Sequence, residues 1–421
     1  ESLRRFVEEG ADSEKAYMLL VQIPSNGQIE GEQIAVVRLI PNYPFMRFTG
    51  RVRESLFSCL NQMSMEIAGL EQRIQRDVSE HDADRKRRIA ERNLRIADIE
   101  IAEYGPSPRM YNCLGDAFQV LERPKQSIEA YQKSLELAEI GGTDMLESFY
   151  GLLTVMETLP NSLEQQIDLC LKSLEHYPLD AQLLCAMGGY LQRQGRLDLA
   201  ARSYETAFRF GHVRPHVWHV GVIKEIAAVC CGLALQLEKK DELALGVLQQ
   251  GVTENPDSER IRRQLLGLYI KQGLREEALW QLEQLPERPE PIEAMRSAVR
   301  GACLASQENW APATAYLRTA YEGGCHDVLC LRWLTVTLLN QQLTGEAADV
   351  IQAWREIDPY DAEMIRYGEL LSGRAEAGEQ AGPADELSMP ENTRVDRRVG
   401  ETAPKKPTTI RPTIPAPPED A

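Results

Sequence analysis

One pattern recurs seven times between Tyr111 and Pro359, and it constrains the fold more than any other feature of the 421-residue chain. A small residue, usually Gly, stands three to four positions before an aromatic or aliphatic one. About nine residues later a second small residue, usually Ala, opens a helical stripe that adds a large apolar residue and a third small one, giving a period of about 34 residues. Units of that length are single helix pairs. Each carries an apolar face too large to leave in water and too small to form its own core, so the units must stack.

The units can be read residue by residue. In the first, Tyr111, Leu114, Gly115 and Phe118 lie on one predicted helix, and Ser127, Tyr131 and Ser134 on the next. A divergent unit contains Leu153, Gln166, Cys170, Ser173 and Pro178. The clearest unit has Met187, Gly188 and Leu191, then Gly195, Ala200, Tyr204 and Ala207. Four more follow on Gly232 and Ala244, on Gly267 and Ala278, on Gly301 and Ala313, and on Leu334 and Ala347. These residues resemble the tetratricopeptide repeat, in which Gly and Ala allow two antiparallel helices to approach closely and Pro closes the second. The resemblance implies a right-handed superhelix with a concave inner surface. The units around Pro160 and His212 are stretched, and insertions are expected there. The segment Asp361 to Leu371 has the amphipathic pattern of a capping helix.

The flanks differ. Residues 1–60 read as a small α/β piece: a helix at Leu3 to Glu9, then β-rich runs Ala16 to Gln22 and Gln33 to Ile40 joined by Pro24-Ser25-Asn26-Gly27, a hairpin signal. Residues 61–104 read as charged connecting helices, with Arg85-Lys86-Arg87-Arg88 taken as a solvated face. The repeat array is assigned to 105–372. Residues 373–421, rich in Pro, Thr, Gly and charge, cannot supply a core and are expected to be a disordered tail.

Composition excludes several classes. A net charge of -17 is the wrong sign for a nonspecific phosphate-backbone binder, so nucleic acid is not an expected partner. Nine cysteines at irregular spacings, with no C-x-x-C pair, make neither a disulfide framework nor structural zinc; several occupy small-residue packing positions. A cytoplasmic location is expected. No apolar run approaches the length needed to span a bilayer, and neither a signal peptide nor an initiating Met precedes Glu1, so the chain reads as the later part of a longer protein.

The sharpest local signal is Val37-Arg38-Leu39-Ile40-Pro41-Asn42-Tyr43-Pro44 followed by Arg47-Phe48-Thr49-Gly50-Arg51-Val52-Arg53-Glu54. With Arg92-Asn93 and the repeats behind it, this order resembles the end of the catalytic domain in family-two glycosyltransferases of the GT-A fold. Bacterial members include relatives of the peptide S-glycosyltransferase that modifies sublancin. The resemblance implies transfer of a sugar from a nucleotide-sugar to a peptide or protein held by the repeats. It places Glu54 and Arg53 as catalytic residues and Arg38 and Arg51 as substrate-binding ones. Two family histidines are Arg53 and Arg76 here, with Val78 and Ser79 in place of Gly-Tyr. Guanidinium does not ligate metal, so Arg53 either neutralises a diphosphate directly or marks a degenerate site. The nucleotide-binding part and any divalent metal would lie before Glu1; no cofactor or metal is assigned to this chain, which alone should not catalyse. The alternative is a noncatalytic scaffold that binds a partner in its groove.

Other chemistry is weakly signalled. His212, His216 and His219 invite a metal reading, but Pro215 interrupts the helix that would align them. Cys230-Cys231 reads as packing, and the five tryptophans read as repeat core.

Overall fold

The computed structural model describes residues 2–23, 32–52, 54, 56–76, 82–213, 223–285 and 291–376. Its first part is α/β. Helix α1 (Ser2–Glu9) leads into strands β1 (Lys15–Ile23) and β2 (Glu32–Leu39), then helix α2 (Phe57–Gln62) and strand β3 (Glu66–Gln75). The sheet has the order β2-β1-β3, antiparallel between β1 and β2 and parallel between β1 and β3. The residues of the expected hairpin turn lie outside the described ones.

Strand β3 corrects the helical reading of the stretch from Glu66. Ile67, Leu70 and Ile74 follow a helix-like spacing, yet they belong to a strand, and the reason lies in its neighbour. Central β1 buries both faces, Ala16 and Leu19 among them at no more than 1 % exposure. Ala16 packs with Leu56 and Leu60, while Phe6 of α1 meets Tyr17 edge-on at 5.0 Å. Ile67 pairs with Ala16 and Ile74 with Val21, so the apolar residues of β3 sit on opposite faces and show no alternation of period two.

Helix α3 (Ala83–Tyr104) connects this piece to the repeats, its first turn capped by the Asp82 side chain. The first three repeats pair α4 (Pro108–Val120) with α5 (Pro124–Leu137), α6 (Thr143–Glu157) with α7 (Leu163–His176), and α8 (Ala181–Arg193) with α9 (Leu197–Phe210). The next two pair α10 (Ile223–Leu237) with α11 (Asp241–Glu254) and α12 (Glu259–Gln272) with α13 (Arg275–Glu283). Then come α14 (Ile292–Ser306) with α15 (Trp310–Glu322), α16 (Val328–Asn340) with α17 (Thr344–Ile357), and the capping helix α18 (Ala362–Glu376). Met364 and Tyr367 of α18 are buried, and Tyr367 lies 6.4 Å from the Trp354 ring. Beyond Glu376 the expected tail lies outside the described residues.

Every helix pair turns through one residue in the left-handed region: Glu122, Asn161, Gly195, Lys239, Gly273, Glu308 and Gln342, with φ between 56° and 75°. In six of the seven the next N–H reaches back five residues to a carbonyl of the first helix, as from Arg196 to Leu191 and from Leu274 to Tyr269, satisfying an orphan acceptor. These turns supply the register. The interval from Asn161 to Gly195 is 34 residues, whereas Glu122 to Asn161 is longer because α6 and its exit turn carry the expected insertion. The second stretched unit, near His212, runs into residues outside the described ones.

Close helix approach depends on the small residues. A Cβ added at Gly188 would lie 2.6 Å from the Tyr204 ring and one at Gly301 2.6 Å from Leu317 Cγ. Gly267 is the exception. A Cβ there meets nothing within 4 Å, because Leu266 occupies the close-approach position of that repeat and Gly267 faces outward.

Packing also sets the curvature. Consecutive first helices touch directly, α8 on α10, α10 on α12, α12 on α14 and α14 on α16, whereas consecutive second helices barely meet. The more tightly spaced layer lies inside the bend, so the first helices form the inner face. The fold is therefore mainly α, a tetratricopeptide-type superhelix behind a small mixed sheet.

Candidate peptide-binding face

The inner face is built by residues of the first helices that do not enter the core. On α12 these include Arg263 and Gly267, both exposed. Arg263 and Leu266 of α12, Met295, Ala298 and Val299 of α14, and Leu329 of α16 line an apolar cleft of about 80 Å³, closed at its end by Leu282, Leu285 and Cys325. Three successive first helices thus contribute to one depression. At its rim Arg263 Nη1 stands 3.9 Å from Asp327 Oδ2, while its Nε and Nη2 each lie 2.7 Å from Glu259 Oε1. The Asp327 side chain also caps α16 by accepting from the Leu329 N–H at 2.8 Å, which holds the rim in place.

The arrangement suits recognition rather than chemistry. An apolar depression rimmed by one guanidinium and the two carboxylates that hold it suits an aliphatic or aromatic side chain with polar groups on either side. The volume matches one side chain. Sequence reading missed this cleft because its lining comes from three repeats, none of them unusual alone. One signal was present: Gly267 stands one residue after the position where neighbouring repeats place their close-approach glycine.

The residues singled out in sequence lie elsewhere. Arg38 is exposed on β2, and Glu54 is exposed after it; Arg53 lies outside the described residues. The Arg51 side chain pairs with Glu103 at 2.5 Å, its backbone N–H donates to Glu100 at 3.0 Å, and its guanidinium lies 5.5 Å from the Tyr104 ring. Arg51 therefore ties the α/β piece to α3. Among the described residues no hydrogen bond or ion pair joins Arg38, Arg51 and Glu54.

No group of three His, Cys, Asp or Glu side chains among the described residues is placed to hold a metal. His212 is exposed and held through its backbone, which pairs with Leu179 and Ala181; His216 and His219 lie outside the described residues. Cys231 is fully buried with its thiol 3.4 Å from the Ala201 carbonyl, and burial pushes that thiol up to about 12. Trp218 lies outside the described residues, and the other four tryptophans divide. Trp333 and Trp354 are core, Trp310 is half-buried, and Trp280, expected in the core, is 52 % exposed. Its ring sits on the second-helix layer, 5.6 Å from the Arg262 guanidinium, so a planar cation rather than an apolar neighbour covers it. Among the described residues no helix is long and apolar enough to cross a membrane.

No family model matches the chain, and no curated protein is similar to it. Among solved structures it is similar to a tetratricopeptide repeat protein from Parabacteroides merdae, with 13% identity over 63% of this chain and 98% of that one and a TM-score of 0.44. YrrB, a tetratricopeptide protein with an unusual peptide-binding site, is 22% identical over 49% of this chain and 97% of its own, with a TM-score of 0.37. PilF of Pseudomonas aeruginosa is 15% identical over 63% and 97%, also with a TM-score of 0.37.

Proposed function

We propose that the chain is an interaction scaffold that binds a peptide or protein segment along its layer of first helices. The observation that carries this reading is the apolar cleft shared by α12, α14 and α16 and rimmed by Arg263 and Asp327, with Gly267 exposed one helical turn beyond Arg263 on α12. A ligand side chain fills the cleft, and its flanking polar groups meet Arg263 and Asp327. Peptides selected from a displayed random library against the purified protein test it. Binding should fall at least tenfold in Gly267→Trp, which obstructs the face without touching the core, and in Arg263→Glu. Equal affinity for both variants and the parent would remove the inner face from the function.

A second reading keeps residues 1–60 as the trailing edge of a glycosyltransferase-like domain. Its support is the parallel pairing of β1 with β3, an arrangement typical of α/β domains, together with the motif around Arg38 to Glu54. In that reading Arg53 lies near a nucleotide-sugar diphosphate, Glu54 acts at the reacting centre, and Arg38 and Arg51 assist binding. Incubating the protein, extended by whatever its coding region places before Glu1, with nucleotide-sugars decides the matter. Absence of hydrolysis and transfer would end it.

A further inference from the structure

The sixth repeat breaks the apolar pattern at one position. Leu114, Met187 and Cys231 directly precede the close-approach glycines of the first, third and fourth repeats, and Leu265 and Leu334 hold the same place in the fifth and seventh; all five are buried. In the sixth the residue is Arg300, half-buried, directly before Gly301. The register there is unambiguous, since Gly301 abuts Leu317 as Gly188 abuts Tyr204.

Arg300 has reshaped its surroundings. With Cys303 and Leu304 it forms one face of α14, continued by Gln307 at the helix end, and that face is the floor of a cleft of about 310 Å³ between α13 and α15. One wall is Gly273, Arg275 and Glu276; the other is Tyr316. Where other repeats seat an aliphatic side chain between successive second helices, a guanidinium cannot be desolvated without a partner, so the space stays open. Among the described residues no hydrogen bond or ion pair engages Arg300. Arg275, by contrast, binds its neighbour Glu276 through Nε at 3.0 Å and Nη2 at 2.7 Å. The cleft thus holds two guanidiniums against one carboxylate, in a chain whose net charge is -17. A phenol and a primary amide add further donors, and forked guanidinium donors match carboxylate and phosphate oxygens.

We propose that this cleft binds a compact phosphate- or carboxylate-bearing ligand, with Arg300 as its anchor. It opens on the second-helix layer and is independent of the inner face. Calorimetric titration of the whole chain with inorganic phosphate and with citrate tests it, the two probes distinguishing phosphate from carboxylate recognition. Saturable binding of at least one is expected. Arg300→Leu should weaken it by about tenfold or more without lowering the unfolding midpoint, because leucine restores the pattern of the other repeats. Arg300→Lys, which keeps the charge but loses the fork, should fall between. No saturable binding of either anion, or unchanged affinity in both variants, overturns the proposal. So does a fall in the unfolding midpoint of Arg300→Leu with affinity retained in Arg300→Lys, which would make Arg300 a packing residue.

Discussion

Lys271 Nζ lies 2.6 Å from Asp241 Oδ2 at the seam between the fourth and fifth repeats, with the lysine side chain only 6 % exposed. The pair links the end of α12 to the first turn of α11, where a carboxylate also meets the positive end of the helix. A buried pair contributes little beyond its apolar isosteres, but removing one member strands the other away from water. Lys271→Ala is therefore expected to cost about 3 kcal/mol in urea unfolding. Lys271→Met combined with Asp241→Leu should recover most of that loss. A single substitution that leaves the midpoint unchanged would show the seam to be wetter than its geometry.

The turn residues make a different case. Lys239, Glu308 and Gln342 adopt φ near 60°, where a Cβ crowds the backbone, yet glycine serves the same turn at Gly195 and Gly273. Lys239→Gly and Gln342→Gly should each stabilise the array by about 0.5 kcal/mol, the relieved strain exceeding the added freedom of the unfolded chain. Gly273→Ala should destabilise by more than 1 kcal/mol in order of magnitude, about the left-handed penalty alone, since its Cβ would also sit 2.4 Å from Gln307 Nε2. Thermal melts of the three variants give opposite signs if the turns carry this strain.

Two glycines on first helices should respond oppositely to the same substitution. Gly267→Ala adds a methyl group to open space and removes a flexible residue from the middle of α12, so a gain of about 1 kcal/mol is expected. Gly188→Ala drives a methyl group into the Tyr204 ring and should cost about 1–3 kcal/mol. Destabilisation in Gly267→Ala would mean that α12 meets a neighbour there.

Those two glycines also show what was legible in the chain. Period, small-residue stripe and capping helix were readable because repeats report each position several times, so that Gly188, Gly232 and Gly301 confirm one another. Gly267 was misread because one helical residue of offset is invisible to a pattern that tolerates either neighbour. Strand β3 was misread because its apolar residues Ile67, Leu70 and Ile74 are split between its two faces and so show no alternation of period two. Trp280 defeated an expectation based on residue type, its ring being covered by Arg262. The inner cleft needed tertiary structure: Arg263, Met295 and Leu329 are 66 residues apart from first to last and meet only when the superhelix closes.

Buried thiols give the solenoid a distinctive response to alkali. Burial pushes Cys170, Cys185, Cys231 and Cys303 from the ordinary 9.0 up to about 12. Because the neutral thiol is favoured in the fold, this contribution is fully present below pH 9, where both states hold their protons. It declines as pH rises from 9 towards 12, where only the unfolded chain releases them. Urea midpoints should therefore fall progressively across that window, and Cys231→Ala should blunt the fall while lowering stability at neutral pH through the cavity it leaves. At pH 8 Cys170 and Cys231, both fully buried, should react with a disulfide reagent only at the rate of unfolding, since neither access nor thiolate is provided by the native array. Rapid labelling of Cys231 in native conditions, with no change of midpoint between pH 9 and 12, would show that the packing of α9 against α10 is open.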